Sequence, residues 1–244
     1  MTALSEAIDQ ILVAQRQTEK PLAIVLAGHN GSGKSTMWRK VLADRLQIPL
    51  INADRLMLSI LPEPNSDGAL PDWAQGLRDS NEGWMRVSQQ GVHAFVGHAM
   101  AQNVPFAMET VFSYWDVSAD GTVSSKIDMI REMQDAGYFV LILFVGLSNV
   151  ELSILRVQTR VAEHGHDVPH DRLLRRFPKT QNAIREAVTV ADAAVLADNS
   201  RTTKEAFTVS RVQIGTQVVF DIRQNGAAPP MIAEWLDVVV PLVG

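Results

Sequence analysis

Cysteine is absent from all 244 residues, which excludes a disulfide scaffold, a Cys-ligated zinc or Fe–S centre and a thiolate nucleophile, while leaving the redox compartment open. Positive charge is in deficit. Acids outnumber bases by 27 to 22, for a formal charge of -5, so the overall field repels nucleic acid and anionic membrane. Long apolar runs are missing too: the longest, Tyr138 to Leu147, includes Gly146 and is about half of what a bilayer-spanning helix requires. The first twenty residues carry Glu6 and Asp9 and have no basic segment ahead of an apolar run, so they do not read as a signal peptide. With 46% apolar residues the chain is too hydrophobic to be disordered. The expectation is a cytoplasmic globular protein that uses neither membrane nor nucleic acid as a partner.

Leu4, Ile8, Ile11 and Leu12 recur at helical spacing, which predicts an amphipathic N-terminal helix over 1–20, ended by Pro21. Leu22 to Ala27 is a continuous apolar run closed by Gly28, the pattern of a strand buried on both faces. Ile48 to Ala53, Phe106 to Met108, Phe139 to Val145 and Ala193 to Ala197 repeat it. Helical periodicity separates them, so the fold class is α/β with a doubly wound, mainly parallel five-stranded sheet. Pro62, Pro64, Gly68 and Pro71 mark 61–72 as a loop before a long helix over 81–102. Ser148 and Glu151 predict a capping box opening a helix that runs to about Glu163. After Ser200, the alternation from Phe207 to Phe220 around Gly215 predicts an antiparallel hairpin at the sheet edge. With no repeat and no linker, the expected organisation is one domain over 1–244: N-terminal helix 1–20, core 21–200, and hairpin and helix 201–244.

Gly28-His29-Asn30-Gly31-Ser32-Gly33-Lys34-Ser35 fits the P-loop pattern G-x-x-x-x-G-K-[ST] between a predicted strand and a predicted helix. Its physics is phosphate binding. Glycines let the backbone turn several N–H groups inward, and the positive end of the following helix adds to their pull. Gly28, Asn30, Gly31, Ser32, Gly33, Lys34, Ser35 and Thr36 are thus the candidate ATP-binding residues. Lys34 would neutralise the β- and γ-phosphates and the Ser35 hydroxyl would hold Mg²⁺. The bland counterpart is a Gly-rich turn with a solvated lysine, which the strand-loop-helix setting disfavours.

Other segments choose among nucleotide-using classes. A GTPase needs an Asn-Lys-x-Asp base reader; Ser125-Lys126-Ile127-Asp128 is the nearest likeness and falls inside a predicted helix. A motor ATPase needs a strand ending in Asp-Glu, and none does. Instead the second strand ends Asn52-Ala53-Asp54 and the third Met108-Glu109-Thr110. In a parallel sheet both ends face the crevice of the phosphate loop. One acid could take the proton of an attacking hydroxyl while the other orients the acceptor or, through water, the metal. Read without function, Asp54 is a helix N-cap and Glu109 a solvated strand end.

Between Arg156 and Arg185 the charge inverts: Arg156, Arg160, Arg172, Arg175, Arg176, Lys179 and Arg185 face only Glu163, Asp167 and Asp171. Two cationic helices around the loop Gly165-His166-Asp167-Val168-Pro169 suit a phosphoryl-transfer lid, whose arginines stabilise charge while closure excludes water. A solvated charged face is the plainer account. His164, His166 and His170 with Asp167 lack helical metal-ligand pairing and a suitable fourth ligand. Nucleic-acid binding by the stripe is disfavoured, since only Phe177 interleaves with it.

In this order the motifs resemble the zeta-toxin-like P-loop kinases, in particular the shorter branch labelled predicted ABC-type ATPase. The likeness runs from Leu22 to about Ser200 and rests on residues 28–35, 51–54 and 106–110, Gly137-Tyr138 leading to 143–147, 156–161, 165–169 with Arg175-Arg176, and Asp198-Asn199-Ser200. The resemblance implies an ATP- and Mg²⁺-dependent kinase acting on a sugar hydroxyl of UDP-N-acetylglucosamine, with a small antitoxin as partner. It also implies that Asp54 is the general base, that Glu109 and Thr110 hold the acceptor, and that Lys34 and Arg160 clamp the phosphates. A second lid arginine is implied, which distance to Pro169 places at His166 and helix position at Arg175 or Arg176; Arg176 is the choice carried forward. Val111 stands where relatives commonly have a second threonine. From the residues alone, an ATP-hydrolysing switch acting on a protein partner is the alternative.

Overall fold

A computed structural model describes residues 3–121, 123–226 and 228–242. Met1, Thr2, Val243 and Gly244, the ends of the expected 1–244 span, lie outside the described residues. The five apolar runs form the parallel part of a seven-stranded sheet: β1 (Leu22–Gly28), β2 (Leu50–Ile51), β3 (Phe106–Thr110), β6 (Phe139–Gly146) and β7 (Ala193–Asp198), with spatial order β2-β3-β1-β6-β7. The predicted C-terminal hairpin, β8 (Thr208–Ile214) and β9 (Gln217–Asp221), continues that sheet antiparallel beyond β7. A separate two-stranded ribbon, β4 (Trp115–Val117) with β5 (Val123–Ser125), follows β3.

Every residue of β1 and β6 is buried, because alternate side chains feed two cores. On one face Ala23, Val25 and Ala27 pack with helices α6 (Glu82–Ala101), α7 (Ile127–Asp135), α9 (His170–Val190) and α10 (Pro230–Val239). On the other, Leu22, Ile24 and Leu26 pack with α1 (Leu4–Gln17) and with the run from α2 (Lys34–Met37) to α3 (Ala43–Leu46), joined through a π-helical turn at Trp38–Leu42. Each fully buried aliphatic side chain contributes about 1.5–3 kcal/mol, so the layers hold the carboxyl ends of the strands as a stiff edge.

Four expectations need correction. The N-terminal helix ends at Gln17, short of Pro21, with Glu19 taking a positive φ. The loop at 61–72 does not lead straight into the long helix: a helix not expected from the sequence, α5 (Asp72–Ser80), stands between it and α6, packing Ala74 and partly buried Leu77 against Leu61, Leu70 and Trp84. The helix after β6 is α8 (Val150–Ala162), capped by Asn149, whose Oδ1 accepts from the Leu152 N–H at 2.9 Å. Ser148 therefore does not cap it, since Asn offers the same acceptor one residue closer to the helical run. Finally, of the segment 125–128 only Ile127 and Asp128 lie within a helix, α7, while Ser125 ends β5 and Lys126 is the cap residue between them.

Candidate active site

The phosphate loop leaves β1 and enters α2 as its pattern requires. Gly33 sits at φ +92°, and a Cβ there would lie 2.7 Å from the Asn199 side-chain nitrogen, so only glycine fits. Asn199, just past β7, donates to the Ser32 carbonyl at 2.8 Å. On the opposite side, Ser153 of α8 donates to the Asn30 carbonyl at 2.7 Å. Lys34 is buried and donates to the Gly28 and His29 carbonyls at 3.0 Å each. Burial lowers its pKa, Glu109 and Asp54 raise it, and Arg160 lowers it further. The ammonium thus lies in the field of both acids named from the sequence.

The His29 ring lies flat on Phe177 of α9, with centroids 3.9 Å apart and planes at 12°, and edge-on to Phe144. Burial, and then Lys34, drive its pKa down to about 3, so it is a neutral aromatic spacer between the loop and α9. Sequence reading passed over His29 because the loop pattern leaves that position free.

Asp54 occupies the first turn of α4 (Ala53–Leu58), where the cap is Asn52: its Oδ1 accepts from the Arg55 N–H at 3.0 Å. That cap leaves the exposed Asp54 carboxylate without a hydrogen bond or ion pair among the described residues. Its charge nevertheless acts on Lys34, Arg160 and Arg176. Glu109 is half-buried and accepts the Ser35 hydroxyl on both oxygens, at 2.9 and 3.0 Å. Thr110 turns to the other sheet face, where its oxygen accepts from Lys126 Nζ and from the Phe112 N–H. Lys126, half-buried, was not found from sequence; its one trace was the Ser-Lys-Ile-Asp segment set aside as a poor GTPase motif. Burial, and then Arg176, bring its pKa down to about 8.

The basic stretch lies on α8 and α9, with the loop 163–169 between them. Arg160 donates to the His166 carbonyl at 2.6 Å. Gly165 lets this happen, since a Cβ there would meet Arg160 Cγ at 2.4 Å. Burial lowers the Arg160 pKa and Asp54 raises it. The three candidates for the second cation separate. His166 Nδ1 pairs with Asp79 of α5 at 2.8 Å. Arg175 is exposed and pairs with Asp171 at 2.9 Å. Arg176 is half-buried, has no ion pair among the described residues, and feels Asp54 after burial and Arg172. Arg78 of α5 donates to the His164 carbonyl at 3.0 Å and pairs with Asp79. The helix missed from sequence is therefore what fastens the loop 163–169. Burial raises the Asp79 carboxyl and its bonds from Arg78 and His166 more than reverse that, leaving it below the usual range.

The described arrangement is a glycine-rich loop with its buried lysine and two carboxylates at the strand ends, together with two arginines on α8 and α9 that have no ion pair among the described residues. No helix is long and apolar enough, among the described residues, to cross a membrane. The family model described as Zeta toxin matches residues 6–218. A Haemophilus influenzae protein, described as uncharacterized, is 28% identical over 155 residues, covering 64% of this chain and 91% of its own. A chain from the structure of the PezAT chromosomal toxin–antitoxin system of Streptococcus pneumoniae superposes with a TM-score of 0.53 at 14% identity, covering 98% of this chain and 88% of that one. A chain of the AvrRxo1-ORF1:-ORF2 complex with ATP gives 0.61 at 15% identity, covering 98% and 70%.

Proposed function

The chain belongs to the zeta toxin family, and from that premise we propose that it is an ATP-dependent phosphotransferase delivering the γ-phosphoryl group to a hydroxyl of a small molecule, with a nucleotide sugar such as UDP-N-acetylglucosamine as the first candidate acceptor. The observation that carries this reading is the free carboxylate of Asp54, which makes no ion pair among the described residues yet acts on Lys34, Arg160 and Arg176 together. An exposed carboxylate at a strand end that no hydrogen bond or ion pair among the described residues engages is open to take a proton from an attacking alcohol.

Lys34 and the loop amides would bind the phosphates, and Lys34 would exchange its two carbonyl partners for phosphate oxygens. Arg160 and Arg176 would face the charge that spreads over the transferred group. Ser35 and Glu109 present three oxygens within one contact, a donor set that fits Mg²⁺. When bound there, that ion would neutralise β- and γ-phosphate charge. Glu109 and Thr110 would border the acceptor. A small antitoxin protein is the candidate partner, in keeping with the toxin–antitoxin system to which one structural neighbour belongs.

Incubation with γ-labelled ATP and Mg²⁺, with and without UDP-N-acetylglucosamine and other sugars, tests the reading. Label appearing on an acceptor supports it. Hydrolysis to free phosphate at a rate that no acceptor changes would replace it with the ATP-hydrolysing switch.

A further inference from the structure

The apolar contact of α5 is small, yet its last turn carries a dense polar one. Buried Arg78 donates to both oxygens of neighbouring Asp79, through Nε and Nη2 at 2.8 Å each, while its Nη1 donates to the His164 carbonyl at 3.0 Å. His166 Nδ1 meets the same Asp79 carboxylate at 2.8 Å. An ionised carboxylate has no hydrogen to give, so Nδ1 is the donor. One arginine and one aspartate of α5 therefore grip residues 164 and 166 of the loop 163–169.

That grip bears on Arg160. Its Nη2 donates to the His166 carbonyl at 2.6 Å, its own carbonyl accepts from the Gly165 N–H at 2.8 Å, and a Cβ on Gly165 would meet its Cγ at 2.4 Å. The loop thus closes on both the stem and the head of the arginine. His164 holds φ at +61°, a conformation that residues other than glycine seldom adopt and that persists where the surroundings over-determine it. Arg160 Nε is buried and has no hydrogen-bond partner among the described residues. A buried donor left unmatched is costly, and a phosphate oxygen would match it. Charge acts along the same path: burial lowers the Arg160 pKa, Asp54 raises it, Arg78 lowers it, and Asp167 and Asp79 raise it.

We propose that Asp79 is a positioning residue for Arg160: through His166 and the loop 163–169 it aims the guanidinium at the terminal phosphate and so sets the preference for ATP over ADP. His166 is then a strut and not itself a phosphate contact. The proposal rests on the kinase reading above for the role of Arg160; the strut rests on the hydrogen bonds of Arg78, Asp79 and His166.

Calorimetry with a non-hydrolysable ATP analogue and with ADP, each with Mg²⁺, compares the wild type, Asp79→Ala, Arg160→Ala and the double variant. Asp79→Ala should weaken the analogue by about tenfold, as losing a charge-assisted contact does, and leave ADP within about twofold. A general loosening of the fold would weaken both nucleotides together. In the Arg160→Ala background, Asp79→Ala should change analogue affinity by less than about twofold, because the group it positions is gone. Should Asp79→Ala not fold, His166→Ala, which removes the strut and keeps the Arg78–Asp79 pair, replaces it with the same expectation. An unchanged preference for the analogue, an equal loss for both nucleotides, or losses that multiply in the double variant overturns the proposal. Independent losses alongside intact phosphoryl transfer to an acceptor sink the strut alone. Coupled losses without transfer to any acceptor sink the kinase reading alone.

Discussion

The Ser35 hydroxyl donates to both carboxylate oxygens of Glu109, at 2.9 and 3.0 Å, joining the phosphate loop to the end of a strand 74 residues away. If the pair jointly holds the divalent cation, Ser35→Ala and Glu109→Gln should each raise the Mg²⁺ concentration for half-maximal activity by about tenfold. The double variant should fall short of the sum, with a coupling of about 0.5–3 kcal/mol. Metal titrations of the four proteins read this directly. Strict additivity would mean that the two side chains act separately.

Asn52 caps α4 and so frees Asp54 from that duty. Asp54→Asn should preserve the helix and nearly all ATP affinity while lowering turnover by about two orders of magnitude, the usual loss for a positioned base. Calorimetric ATP binding beside acceptor phosphorylation separates the two effects. Turnover unchanged in the variant removes Asp54 from the chemistry.

The strands and phosphate loop were legible because continuous apolar runs and a glycine-lysine pattern are local signals. The acids at 54 and 109 were legible as positions at strand ends, but Glu109's bond to Ser35 was not, since it depends on β3 lying beside β1. Between His166, Arg175 and Arg176 the sequence could not choose. Asp79 takes His166, and Asp79 sits on α5, a short helix whose buried apolar contact is little more than Ala74 and Leu77 and so gives no clear periodicity. Lys126 showed only as part of a rejected GTPase-like segment; its bond to Thr110 depends on the turn after β5 meeting the end of β3.

His29 and Phe177 stack between the phosphate loop and α9. Phe177→Ala should cost about 3–5 kcal/mol of stability from the buried ring, and it should weaken ATP binding by loosening α9 from the loop. Urea unfolding and nucleotide titration measure the two. With its pKa near 3, His29 should give no inflection in activity between about pH 5 and 8, where an ordinary histidine titrates. An inflection there that disappears in His29→Phe would show that the ring is charged during turnover.

Asp221 is buried at the end of β9 and accepts from Arg211 at 2.8 Å, from Arg223 Nη2 at 2.6 Å, and from Arg223 Nε and backbone N–H at 3.0 Å each. Burial raises its pKa, but the bonds from Arg223 and Arg211 dominate and hold it below the usual carboxylate value. A carboxyl lowered in the native state stabilises the fold fully above its unfolded pKa of about 3.9 and loses that contribution as pH falls through the native value. Asp221→Asn removes the anion that Arg211 and Arg223 share, leaving Arg211 without an ion pair among the described residues while Arg223 keeps Asp237, and should cost about 3–5 kcal/mol at pH 7. The gap from wild type should then narrow below about pH 4, because the wild-type carboxyl becomes neutral as well. Urea unfolding of both proteins at pH 7 and pH 3 decides it: a gap that does not change with pH would mean the loss comes from packing around Asp221 rather than from its charge.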